Sequence, residues 1–288
     1  MKHLFLLPAR WFRKILRQHV FNKLIDWTQG EGVVFDIILP HSGIKNQGRT
    51  TNCWAYSMSS LLESELSSSG TYYTINPLYF AANKRFPGRR GGLPQTFLDV
   101  YANIKDSPST YGEWINPAPQ CSLPCADDFM VLTSFAHHPY YTEAVLNVPD
   151  NYEHFPSLNV PLDKLVQVVK HSLAQGHTVV WEGDIHGSGY SHKKGVALTC
   201  FPSLRHNAFT RSLAYALRLL CDDHMMHIIG MGHTPQGKCF FLLKNSIGEG
   251  GVHKGYIHMS EDYLMTNTLT ITVRRDIFAT SPLLHPLV

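Results

Sequence analysis

A chain of 288 residues that is 44% hydrophobic and 16% charged can bury one large core or two lobes sharing a cleft, and it reads as globular. Its formal charge of +3 is concentrated at one end: residues 1–26 hold six Lys/Arg against one Asp, leaving 19 basic and 21 acidic residues in the rest. The body therefore lacks the basic bias of a nucleic-acid binder, and no nucleic-acid partner is expected.

The chain opens with "MKHLFLLPARWFRKILRQHVF". Its apolar run at residues 4–7 is too short for a signal-peptide core and is followed by Pro8 and arginines, so a cytoplasmic location is expected. No later segment has the length of a membrane span. Phe12, Ile15, Leu16, Val20 and Leu24 fall at helical spacing among Arg10, Arg13, Lys14 and Arg17. That pattern fits either a helix in weak contact with anionic lipid or one packed on the domain, and the second is preferred.

A strand is predicted over residues 32–39 and a helix over residues 53–66, with Trp54, Met58, Leu61, Leu62 and Leu66 on one stripe and Asn52 as N-cap. A second helix is expected after "GRRGGLP", opening near Pro94 and carrying Phe97, Leu98, Tyr101 and Ile104 on one face. Residues 103–161 read mostly as loop, with one strand at 130–135. Leu162, Leu165, Val166, Val169 and Leu173 form an amphipathic helix closed by Gly176, "HTVVWEGDI" is a strand, and a further helix is placed at 208–220. The last third is β-rich: "HMMHIIGMG", a turn at "HTPQG", then "KCFFLLKNS", "GYIHMS" and "TLTITVRR". With no internal repeat or linker, helices first and strands later suggest an α+β fold whose two halves face each other across a groove.

Six cysteines are scattered through a chain that needs no staples, so reduced thiols are expected. Only Cys121 and Cys125 lie close together, without the second pair a zinc site would need. The histidines show no ligand spacing, and no metal is expected.

Cys53 stands out among the thiols. At the first turn of a helix it sits at the positive end of the helix dipole, which lowers a thiol's pKa. A nucleophilic thiol also needs an imidazole to take and return its proton, and a third group to orient the ring. "CDDHMMHIIGMG" places His224 at the start of one strand and "FFLLKNSIGEGG" places Asn245 at the end of the next. Gln47, six residues before the cysteine, could donate an amide N–H to an oxyanion beside the cysteine's own N–H.

Three motifs in order, Gln-x5-Cys-Trp-Ala, Asp-His before an apolar strand ending Gly-x-Gly, and Lys-Asn-Ser-x-Gly followed by Gly-Tyr-Ile, resemble the papain-like cysteine peptidases. "LESEL", "TSFAHHPYY", "VPDNYEH", "NVPLDKL", "VVWEGDI", "KKGVAL" and "DDHMMHIIGM" make the chain most similar to the bleomycin hydrolase and aminopeptidase C branch, in a compact bacterial form. The likeness runs over residues 33–275. It implies a papain-like two-lobed fold, with a helical left lobe supplying the thiol and a β-rich right lobe supplying the imidazole. It implies Cys53 as nucleophile, His224 as general acid/base, Asn245 as orienter and Gln47 in the oxyanion hole. Gly91 and Gly92 match the glycine pair that admits substrate backbone. No cofactor is implied, and the partner is a peptide substrate. The expected division is a basic extension at 1–26, a peptidase body at 27–276 and a tail at 277–288.

Two departures bear on function. Ile247 stands where most relatives have a tryptophan shielding the Asn–His hydrogen bond, and Thr50 stands where many secreted relatives have a disulfide cysteine. The first, with the basic N-terminus, motivates an alternative: a papain-fold binding protein without turnover. Acyl transfer to an amine is a second alternative. In the bleomycin hydrolase branch the C-terminus lies in the cleft and restricts it to substrate N-termini. "DIFATSPLLHPLV" could do the same, with Val288 or Asp184 meeting the substrate ammonium, or it could pack elsewhere and leave an open-cleft endopeptidase.

Overall fold

The computed structural model describes residues 21–67, 71–78, 115–116, 124, 126–149, 151, 154–200 and 208–280. The helix opening near Pro94, the Cys121/Cys125 pair and the last eight residues lie outside them, as does the predicted N-terminal helix up to residue 20; its end, Phe21–Leu24, is a 3-10 turn. Strand β1 spans Val34–Ile38 and helix α1 Cys53–Ser67. The short strands β2, Thr74–Ile75, and β3, Ile115–Asn116, pair with each other. Then follow β4 at Phe129–Thr133, β5 at Thr142–Val145, β6 at Pro156–Asn159, α2 at Leu162–Ala174 and β7 at Val179–Gly183. Two-residue strands β8, Tyr190–Ser191, and β9, Val196–Ala197, precede α3 at Ala208–Ala216. The last part holds β10 at His224–His233, β11 at Cys239–Lys244, β12 at Tyr256–Ser260, α4 at Glu261–Asn267 and β13 at Thr268–Arg274.

One mixed sheet runs β5-β6-β4-β13-β7-β10-β11-β12-β9-β8, with β1 paired to the far half of β10. Side chains alternate across it, and both faces are covered. Val180 and Met225 meet Trp54, Met58, Leu61 and Leu62 of α1 on one face. On the other face Val179, Trp181, Met226 and Ile228 meet Leu165, Val169 and Leu173 of α2 and Tyr263 and Leu264 of α4. Each of these side chains contributes about 1.5–3 kcal/mol by leaving water. Gly230 and Gly232 let β1 approach: a Cβ would meet Ile37 O at 2.3 Å and Val34 O at 2.0 Å. The architecture is α+β and papain-like, with the helix of Cys53 packed on the sheet that carries His224 and Asn245.

Several elements differ from expectation. Among the described residues, 103–161 hold three further strands, because β3, β5 and β6 are too short to show periodicity; Leu158 lies parallel to Leu132, and Glu143 pairs with Leu158. The Asn159 amide then clamps the preceding loop, accepting from Phe135 N at 2.8 Å and donating to Phe135 O and His138 O. Helix α3 stops at Ala216, where Arg218 turns to φ +56° and Leu219 N returns to Ala214 O at 2.7 Å. Helix α4 was unexpected, although its start is legible: Ser260 accepts from Tyr263 N at 3.1 Å, with Glu261 and Asp262 in the first turn. Asn52 receives Ala55 N and Tyr56 N on its carbonyl, but its buried side-chain amide finds no partner among the described residues, so it does not cap α1 as expected.

Candidate active site

Strands β10 and β11 form an antiparallel hairpin in which His227 pairs with Lys244. The same register brings His224, the first residue of β10, beside Asn245, the residue after β11. His224 Nε2 stands 2.8 Å from Asn245 Oδ1. The backbone N–H of Ser246 also donates to that oxygen, at 2.7 Å. Because a backbone N–H can only donate, Oδ1 is the acceptor and His224 Nε2 carries the proton. Nδ1 of the neutral ring is thereby left with its lone pair, the form a general base requires. Burial pushes His224 below its ordinary range; the bond to Asn245 and the Asp223 carboxylate act against this, while His186 and His192 add to it. Asp223 also pairs with His186 Nδ1 at 2.9 Å.

Cys53 is the first residue of α1, half-buried and without a disulfide. It packs against the cluster of Trp54 and Met225, and Met225 follows His224 directly, so thiol and imidazole belong to one junction of helix and sheet. Gln47 is tied to the same place: its N–H donates to Ser246 O at 2.7 Å, and its Oε1 accepts from Ser246 Oγ at 2.6 Å. Nε2 donates to Thr50 O at 2.8 Å, which uses one of its two hydrogens. The structure thus brings Gln47, Cys53, His224 and Asn245 to one junction. Gly91 and Gly92 lie outside the described residues.

Two expectations need correction. Asp184 does not face a groove as an acceptor for an ammonium: it is fully buried, with its carboxylate receiving Gly187 N at 2.9 Å and Cys221 N at 3.3 Å. The dyad also remains shielded with Ile247 in place of an indole, since His224 is 7% and Asn245 2% exposed. Ile247 itself is 37% exposed and forms a β-bridge with Asn46.

Behind the dyad lies a polar network that the sequence reading did not find. Glu63, fully buried on α1, accepts from Ser42 Oγ, Lys45 Nζ and, at 2.6 Å, Ile75 N. Lys244 donates to Ser42 Oγ at 2.6 Å and Ser60 Oγ at 2.8 Å, and Ser60 Oγ is hydrogen-bonded to His227 Nδ1 at 2.8 Å. Burial pushes Lys244 down to about 8 and His227 well below its ordinary range. The signal was a glutamate beside the apolar stripe of α1. Among the described residues no three His, Cys, Asp or Glu gather as a metal site, and no helix is long and apolar enough to cross a membrane.

The family model of the Peptidase C1-like family matches residues 127–284, more than half of the chain. The chain belongs to the Peptidase C1-like family. As a member it is a cysteine-type peptidase acting on peptide, and the matched span contains His224 and Asn245 but neither Gln47 nor Cys53. Among solved structures it is similar to PepW from Lactobacillus rhamnosis, at 12% identity over 88% of this chain and 84% of that one, with a TM-score of 0.61. Bromelain from Ananas comosus aligns at 14% identity over 87% of this chain and 97% of that one, with a TM-score of 0.41. The first of these similarities shows the fold. Among curated proteins none matches this Peptidase C1-like chain in sequence.

Proposed function

We propose that this Peptidase C1-like protein hydrolyses peptide bonds through an acyl-enzyme on Cys53, with His224 as general acid/base, Asn245 as its orienter and Gln47 as oxyanion donor. The observation that carries this reading is the 2.8 Å contact of His224 Nε2 with Asn245 Oδ1 at the junction with the helix that begins at Cys53. Nδ1 takes the Cys53 proton, and the thiolate attacks the scissile carbonyl. The oxyanion receives the Cys53 N–H and the second hydrogen of Gln47 Nε2. The imidazolium returns its proton to the leaving amine, and a water deprotonated by the same ring releases the acid and restores the thiol.

Cleavage from the N-terminus of substrates is the finer part of the proposal. It is supported by the likeness of many segments to the bleomycin hydrolase and aminopeptidase C branch.

The experiment is hydrolysis of fluorogenic aminoacyl and peptide substrates by wild type and Cys53→Ala, with alkylation of Cys53 followed against pH. Wild type turns over, Cys53→Ala does not, and alkylation stays fast well below the ordinary thiol pKa of about 8.5. Equal activity in both proteins, or a thiol that reacts only above that pH, would overturn the reading.

A further inference from the structure

We propose that Tyr190 is a positioning residue of the site, its phenol oxygen holding the Asn245 amide so that Oδ1 stays on His224. The inference rests on the peptidase reading above. Asn245 Nδ2 donates to Tyr190 Oη at 2.9 Å, while Oδ1 serves both His224 Nε2 and Ser246 N. Both ends of the amide are thereby engaged. Tyr190 reaches this position from β8, whose strand partner is β9: Tyr190 pairs with Ala197, and β9 lies parallel to β12 at His258. Its ring packs against the main core. No motif marks Tyr190 in the sequence.

The physical argument concerns a buried amide. Asn245 is 2% exposed, so Nδ2 cannot turn to bulk water if its partner is removed. An unsatisfied buried donor drives the side chain to rotate toward any acceptor it can reach, and that rotation moves Oδ1 away from His224. Tyr190 also bears on the question raised by Ile247. In this chain the dyad is buried without an indole at 247, and the Tyr190 hydroxyl bonds the Asn245 amide. Burial raises the phenol above its ordinary range, so the acceptor persists as a neutral hydroxyl at every pH at which the site would work.

Tyr190→Phe keeps the ring and deletes the bond. It is expected to lower kcat/KM roughly 10-fold, through kcat with KM little changed. In an Asn245→Ala background the same substitution should change nothing further, because the amide it serves is gone. A residue that merely supports the fold would lower kcat/KM equally in both backgrounds, and that result overturns the proposal, as does Tyr190→Phe with wild-type kcat/KM. A second readout does not depend on turnover: in histidine-labelled protein, exchange of the His224 Nε2 hydrogen with water should be at least roughly 10-fold faster in Tyr190→Phe than in wild type. Unchanged exchange overturns the proposal even if the wild type proves inactive, whereas loss of wild-type turnover with faster exchange overturns only the peptidase reading.

Discussion

Glu63 and Lys244 stand 3.9 Å apart at the junction of α1 with the sheet, with side chains 0% and 4% exposed. One lies on the helix that begins with Cys53, and the other immediately precedes Asn245. The helix of the thiol and the strand before the orienter of the imidazole are therefore joined through a buried ionic contact. Removing the carboxylate leaves Lys244 buried without this ionic partner, whereas Glu63 also pairs with Lys45.

Glu63→Gln is expected to destabilise the fold by about 3–5 kcal/mol, the cost of breaking a buried ion pair from one side. Urea unfolding measures it. Here the carboxylate also serves Ser42, Lys45 and the N–H of Ile75, so β2 and the loop before α1 should loosen together. A loss below about 1 kcal/mol, the value of a surface pair, would remove the network from the stability of the junction.

Lys244 gives a pH signature. Its folded pKa is pushed down to about 8 from an ordinary 10.5, chiefly by burial and against the attraction of Glu63. Between those values the unfolded chain binds the proton and the folded one does not. Stability therefore rises as pH goes from 8 toward 10.5, and the gain is lost as pH falls through 8. Lys244→Met should abolish this rise, seen as the difference in unfolding free energy between the two ends of that window. Parallel pH profiles for the two proteins would assign the dependence to other groups.

Gly183 pairs with His224 in the β7–β10 ladder. A Cβ there would meet Asn267 O at 2.1 Å and the Trp181 ring at 2.4 Å, so Gly183→Ala must displace β7 or the end of α4. We expect a loss of about 3 kcal/mol or more in stability, as for overpacking in a rigid core. A variant whose melting temperature matches wild type would show that the strands yield at this point.

The tail offers a test of exopeptidase action. Ile277 and Phe278 are buried in the main core, and deletion of residues 282–288 leaves both in place. If the last residues restrict the cleft to chain ends, the deletion raises cleavage of N-acetylated peptides relative to free-amine ones. An unchanged ratio favours an open-cleft endopeptidase.

The long elements were legible because each carries its own periodicity. Trp54, Met58, Leu61, Leu62 and Leu66 mark α1, the stripe from Leu162 to Leu173 marks α2, and the runs in β7, β10, β11 and β13 mark strands buried on both faces. The order of the three motifs was legible too, because it is a property of the chain. Residues 142–145 and 156–159 were not, since four-residue strands are defined by what they pair with.

The sequence alone determined which residue types meet at the junction, since a cysteine opening a helix and a histidine and asparagine at the ends of a hairpin are local facts. Only the tertiary structure decided what surrounds them. That Glu63 is a buried partner of Lys45 and Lys244, that Asp184 is occupied by backbone N–H groups, and that Tyr190 reaches Asn245 across 55 residues of chain follow from strand order and register. A polar side chain's role is set by which partners are in reach once water is removed, and that is a property of three-dimensional packing.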